Sequence, residues 1–96
     1  MIEVVTNGDG QPAVLGELDL STVPALEAWL AQHNGQLTQV DLSGVTFFDS
    51  SALNAFLKAR HHNANLRIVN PSTFVVKVLA ITKMVDYLVG NSEANR

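Results

Sequence analysis

Asp49, Ser50 and Ser51 stand together between an apolar run and a helical pattern, and no other residues of the chain are better placed to do chemistry. An aspartate at a helix start accepts a hydrogen bond from the second or third helical N–H, a cap worth about 0.5–2 kcal/mol. Capping alone would account for Asp49, but it asks for one residue and not for the two serines that follow. The alternative concerns a phosphoryl group on Ser51. A phosphate at a helix N-terminus meets free N–H groups and the positive end of the helix dipole. It also brings about two negative charges and strong acceptor oxygens. In a close protein interface that charge is desolvated beside Asp49 and Asp19, so repulsion expels the partner while the domain itself changes little.

Catalysis fits these residues poorly. His61 and His62 lie at the far end of the helix that Ser51 begins, roughly 15 Å away at 1.5 Å per residue, beyond reach for proton transfer. His33 falls at the end of another helical pattern, as a solvated or stripe-edge residue. Adjacent histidines on a helix point in different directions, which does not suit a metal. Glu17, Asp19 and Asp49 match no calcium-loop spacing, and no phosphate-binding glycine loop is present. Neither an enzyme nor a resident cofactor is expected.

The elements that must position the serines can be read from periodicity. Ile2–Val5 is a short apolar run closed by Asn7-Gly8-Asp9-Gly10, and Ala13–Leu20 alternates, so an antiparallel strand pair is expected. Ser21 or Thr22 can cap a first helix with Pro24 in its first turn, and Leu26, Trp29 and Leu30 form its stripe up to Asn34-Gly35. Leu37–Leu42 is a third strand, whereas Val45–Phe48 is too short to place from its pattern. The second helix carries Leu53, Phe56, Leu57 and Arg60 at helical spacings and ends in His61–Asn65. Leu66–Val69 is a further strand, and Asn70-Pro71 reads as the cap and first residue of a third helix. Ser72–Met84 is rich in β-branched residues, yet its length and the spacing of Phe74, Val75, Val78 and Leu79 favour a helix. Tyr87–Val89 reads as a last edge strand.

The expected fold is therefore α/β, with a mostly parallel mixed sheet, an antiparallel N-terminal strand and covering helices. Sites in such sheets gather at the carboxyl ends of strands. Glu17 with Asp19, Asp41 with Ser43, and Asp49 with its serines should meet there. Phe47 and Phe48 divide between a core anchor and a partner contact, and Trp29 matches a buried stripe.

Composition restricts the function classes. Ninety-six residues make one domain, and 47% hydrophobic with 16% charged residues is globular rather than disordered. Nine acids against six bases give a net charge of −3, with the bases scattered singly, so direct nucleic-acid binding is not expected. No apolar run reaches the roughly 20 residues of a membrane span, and no secretory leader is visible. The absence of cysteine removes thiolate chemistry and fits a reducing, cytoplasmic setting.

With these residues in hand, the chain resembles the STAS domain, and within it the anti-sigma factor antagonists, or anti-anti-sigma factors, of bacteria. The resemblance rests on Asp41-Leu42-Ser43-Gly44-Val45-Thr46-Phe47-Phe48-Asp49-Ser50-Ser51-Ala52-Leu53. Gly16-Glu17-Leu18-Asp19 and Leu66-Arg67-Ile68-Val69-Asn70-Pro71 support it, in the expected order. It covers residues 2–89 and leaves 90–96 as a flexible tail. It implies that Ser51 is phosphorylated by a partner anti-sigma factor with serine-kinase activity, which supplies the ATP. Unmodified, the switch protein holds that kinase and frees a sigma factor; a phosphatase resets the cycle. Asp19 and Asp49 frame the acceptor, with Ser50 as its neighbour. Glu17, Ser21, Ser43, Phe48 and Ala52 complete the expected partner surface. Relatives often carry glycine where this chain has Ala52, whose methyl group is expected to obstruct close approach by a kinase. That departure, and the short C-terminal part, also fit the STAS subunit of phospholipid-transport ABC systems, which binds an ATPase subunit.

Overall fold

The computed structural model of the protein describes residues 2–33 and 35–89. Strand β1 (Glu3–Thr6) and β2 (Pro12–Leu18) form the expected antiparallel pair, with Val4 opposite Val14. Asn7 closes the turn between them, its side-chain oxygen accepting from the N–H groups of Asp9 and Gln11, both at 2.9 Å. Helix α1 (Val23–Gln32) follows, then β3 (Gln39–Asp41) and β4 (Val45–Phe48). Helix α2 (Ser50–His62), β5 (Arg67–Val69), α3 (Thr73–Ile81) and α4 (Val85–Leu88) complete the described chain.

The sheet runs β1-β2-β3-β5, with β4 also paired to β2. Two short strands thus share one edge of β2 in succession. Ala13 pairs with Asp41 of β3, and farther along Gly16 and Leu18 pair with Val45 and Phe48 of β4, all parallel. The stretch Leu42-Ser43-Gly44 joins them. The register shifts between Gly16 and Glu17, where Gly16 takes a φ of 103°, a left-handed conformation that glycine adopts without strain. The Val45–Phe48 run, unplaceable from its pattern, is therefore the strand that leads directly into α2.

One core joins the sheet to the helices. Val14, Leu18, Val40, Leu42 and Ile68 meet Leu26 and Leu30 of α1, Phe56 of α2, and Val75 and Leu79 of α3. Burying such side chains contributes about 25 cal/mol per Å² of apolar surface, and this sheet is too apolar to stand without its helices. Trp29 is half-buried against the core, and its backbone carbonyl contacts the His33 ring nitrogen at 3.0 Å. Across the outer side of the α1–α2 pair, Lys58 meets Glu27 at 3.3 Å. That exposed pair is worth at most about 1 kcal/mol.

Three local expectations are corrected. Asn70 does not cap α3: it adopts a φ of 51° and sends its amide to Asp41, while the Ser72 hydroxyl accepts from the Val75 N–H. Thr22 precedes α1 but makes no side-chain cap, because its hydroxyl is committed to the Glu17 carbonyl at 2.9 Å. Tyr87–Val89 is not an edge strand. Tyr87 and Leu88 belong to α4, and only Val89 bridges to the sheet, at Ile68. Packing overrides β propensity there, since Leu88 is buried and the Arg60 guanidinium lies over the Tyr87 ring at 4.4 Å. The expected tail at 90–96 lies outside the described residues.

Candidate functional site

Leu18 and Phe48 are partners in the parallel β2–β4 register, and each is followed by an aspartate: Asp49 caps α2, and Asp19 opens the turn into α1. The Asp49 N–H donates to the Leu18 carbonyl at 3.3 Å, tying the two chain exits together. Adjacent strands lie about 4.8 Å apart, so the loops Asp19-Leu20-Ser21-Thr22 and Asp49-Ser50-Ser51-Ala52 stand side by side.

Their hydrogen bonding is nearly identical. Asp49 Oδ1 accepts from the N–H of Ser51 at 3.0 Å, the N–H of Ala52 at 3.1 Å and the Ser51 hydroxyl at 2.6 Å. Asp19 Oδ1 accepts from the N–H of Ser21 at 2.9 Å, the N–H of Thr22 at 3.2 Å and the Ser21 hydroxyl at 2.6 Å. The Ser21 hydroxyl, followed by the Thr22 and Ser21 backbone donors, holds the Asp19 carboxyl below its ordinary range against the opposing effect of desolvation. Asp19 thus closes the turn that leads into α1, and the helix itself begins at Val23 with no side-chain cap from Ser21 or Thr22. The repeated Asp-x-Ser spacing was the available signal for it.

The chemistry open to this arrangement is narrow. Ser51 is half-buried and its hydroxyl proton points at a carboxylate, while Ser50 is exposed. The Asp49 carboxylate can receive that proton as the Ser51 oxygen attacks a phosphoryl group brought by another protein. The histidines of α2 remain a helix length away from Ser51. Among the described residues, no group of three His, Asp or Glu side chains is placed to hold a metal ion. No described helix is long and apolar enough to cross a membrane.

Several expected site residues are placed elsewhere. Asp41 does not join the helix starts. It lies opposite Ala13, five residues before Leu18 along β2, roughly 16 Å away at 3.3 Å per residue. Only 4% exposed, it ties the sheet together. Its Oδ1 accepts from the Ser43 N–H at 2.7 Å, and its Oδ2 from the Asn7 and Asn70 amides at 2.8 and 3.0 Å. Burial pushes the Asp41 carboxyl up, but these donors together outweigh it and leave it below the usual range. Ser43 belongs to this structural cluster, because β3 ends early and β4 takes over its edge of β2.

Phe48 and Ala52 are also corrected as surface residues. Phe48 is 4% exposed with its ring 6.2 Å from Phe56, and Ala52 is fully buried. The register shift turns Phe47 outward instead, 45% exposed and opposite the exposed Glu17. The Ala52 methyl group points into the core and does not stand in the way of an approaching protein. Leu20, at the tip of the first loop and 76% exposed, is the apolar surface residue that the sequence reading missed. In the alternating run Leu20 shares a face with Val14 and Leu18, but β2 ends at Leu18 and the turn carries Leu20 outward.

Comparison with known proteins agrees with this geometry. The chain has the fold of the anti-sigma factor antagonist SpoIIAA in its unphosphorylated form: TM-score 0.68, 19% identity, covering 97% of this chain and 90% of that one. An anti-sigma factor antagonist from Mycobacterium paratuberculosis is similar at TM-score 0.73 and 22% identity, over 92% of this chain and 81% of that one. A STAS-domain anti-sigma-factor antagonist from Planctomyces limnophilus is similar at TM-score 0.68 and 19% identity, over 92% and 86%. No curated protein sequence matches the chain. The family model described as "Mlab, STAS domain" matches residues 6–90, and the chain belongs to the STAS domain family, whose members are non-catalytic regulatory modules.

Proposed function

We propose that this domain is an anti-sigma factor antagonist that binds an anti-sigma factor with serine-kinase activity and is switched by phosphorylation of Ser51. The observation that carries the reading is the Ser51 hydroxyl on Asp49 Oδ1 at 2.6 Å, at the start of a thirteen-residue helix. The partner surface comprises Glu17, Asp19, Ser21, Asp49 and Ser50, with Phe47 and Leu20 as apolar contacts. The kinase brings the ATP, and a phosphatase restores the serine. A phosphoryl group ends the Ser51–Asp49 hydrogen bond and sets a dianion beside a carboxylate, in an interface that excludes water. The complex dissociates because that repulsion is desolvated at the interface, beside Asp49 and Asp19. The protein works in the cytoplasm under this reading, with neither membrane insertion nor nucleic-acid contact.

The test is the affinity of the anti-sigma kinase for three forms of the full chain. Wild type and Ser51→Ala should bind alike and Ser51→Asp at least tenfold more weakly. Equal affinity for all three would reject the electrostatic release.

A second reading is favoured by the family match, whose model is described as a Mlab STAS domain and not as an antagonist. In it the same surface is an adapter that binds the ATPase subunit of a phospholipid-transport ABC system and is never modified. Affinity purification from the native cell separates the two, since an ATPase subunit retained equally by wild type and Ser51→Asp supports the adapter.

A further inference from the structure

Charge is divided along this chain. Among the described residues every lysine and arginine lies between 58 and 83, and every acid except Asp86 lies between 3 and 49. Lys58 pairs with Glu27, and Arg60 is held by Tyr87 through its ring and carbonyl. Lys77 and Lys83 have no ion-pair partner among the described residues.

Lys77 sits among apolar side chains, and Lys83 follows just beyond the same helix. Helix α3 buries Val75 and Leu79, and the residues turned away from them include Phe74, Lys77 and Ile81 at helical spacing. Phe74 is 47% and Ile81 81% exposed. Scattered surface apolar residues are ordinary, but a phenylalanine and an almost fully exposed isoleucine flanking an unpaired lysine on one helix form a surface that lacks its partner. A bare anionic membrane fits badly, since two lysines on a chain of net charge −3 are repelled more than attracted.

The complement of this surface is present on the same molecule. The end of β2 carries Glu17 and Asp19 beside Asp49, with Leu20 projecting from the loop as an exposed apolar knob. We infer that the occupant of the α3 face is a second copy of this chain, which seats its Leu20 loop between Phe74 and Ile81 and sets Glu17 and Asp19 against Lys77 and Lys83. The contact is heterologous, joining unlike surfaces, so it builds short chains or a ring rather than a two-fold dimer. It also occupies the β2 and β4 ends, so a partner binding at those loops competes with self-association.

Sedimentation of the pure full-length chain tests this without any partner, so its failure leaves the proposed switch untouched. Wild type should form dimers and larger species as concentration rises, and salt at 1 M should return it to monomer. Two double variants, all at exposed positions, each remove one surface: Glu17→Lys with Leu20→Ser, and Lys77→Glu with Ile81→Ser. Each alone should sediment as a monomer, and circular dichroism should show it folded. An equimolar mixture of the two should form a one-to-one dimer and nothing larger, because only one intact surface of each kind remains. A monomeric wild type, a mixture that stays monomeric, or association abolished only by the α3 variant overturns the inference.

Discussion

The carboxylate oxygen of Asp49 that caps helix α2 is the same oxygen that receives the Ser51 hydroxyl, at 2.6 Å. Under the proposed switch, folding and switching draw on one atom. With three donors converging on it, the helix start is fixed and the Ser51 oxygen is held at the surface with its proton already directed to a base. A phosphoryl group on Ser51 removes one donor, and the two backbone donors to Asp49 remain. The helix can thus survive a modification that changes what its end presents.

Asp49→Ala should lower stability by about 1–2 kcal/mol, the usual loss for a helix cap. Urea unfolding followed by circular dichroism measures it. Ser51→Ala keeps both backbone bonds to Asp49 and should cost less than Asp49→Ala; a larger loss would mean that the hydroxyl carries the cap.

The two phenylalanines before that aspartate should behave in opposite ways. Phe48→Ala opens a cavity against Phe56 and should cost about 3–5 kcal/mol. Phe47→Ala removes an exposed ring and should stay within about 0.5 kcal/mol of wild type, while weakening partner binding. Equal unfolding midpoints for the two variants would contradict the register shift that separates them.

How much of this was legible in advance depends on how local the determinant is. The β1–β2 hairpin, the three longer helices and the aspartate before Ser51 were readable, because periodicity and caps act over a few residues. The split edge of β2 was not. Gln39–Asp41 and Val45–Phe48 are both too short to declare a register, and only pairing with β2 decides which end each occupies. That one nonlocal fact moved Asp41 and Ser43 out of the site and exchanged Phe47 for Phe48. The misassigned caps share another cause. Thr22 and Asn70 suit helix starts, but the Glu17 carbonyl and Asp41 claim their side chains. Polar residues with several possible partners are settled by the fold and not by their type.

Asp41 should make the fold acid-sensitive. Its carboxyl is held below the ordinary range in the folded protein, against about 3.9 when unfolded. The stability it contributes is complete above the unfolded value and is lost as pH falls through the lower folded value. Unfolding midpoints in urea should therefore drop more steeply below pH 4 for wild type than for Asp41→Asn. At pH 7, Asp41→Ala should cost about 3 kcal/mol, because the Asn7 and Asn70 amides and the Ser43 N–H lose their acceptor.

Phosphorylation can also be asked to choose between the twin loops, since Ser21 and Ser51 each donate to the aspartate two residues before them at 2.6 Å. The most direct measurement is incubation of the full chain with ATP and an anti-sigma kinase that binds it, followed by intact mass and peptide mapping. One phosphoryl group is expected, on Ser51, with Ser21 and Ser50 unmodified and Ser51→Ala unlabelled. Label on Ser21 or Ser50, or an unlabelled wild-type chain in the presence of a kinase that binds it, would contradict the switch at Ser51.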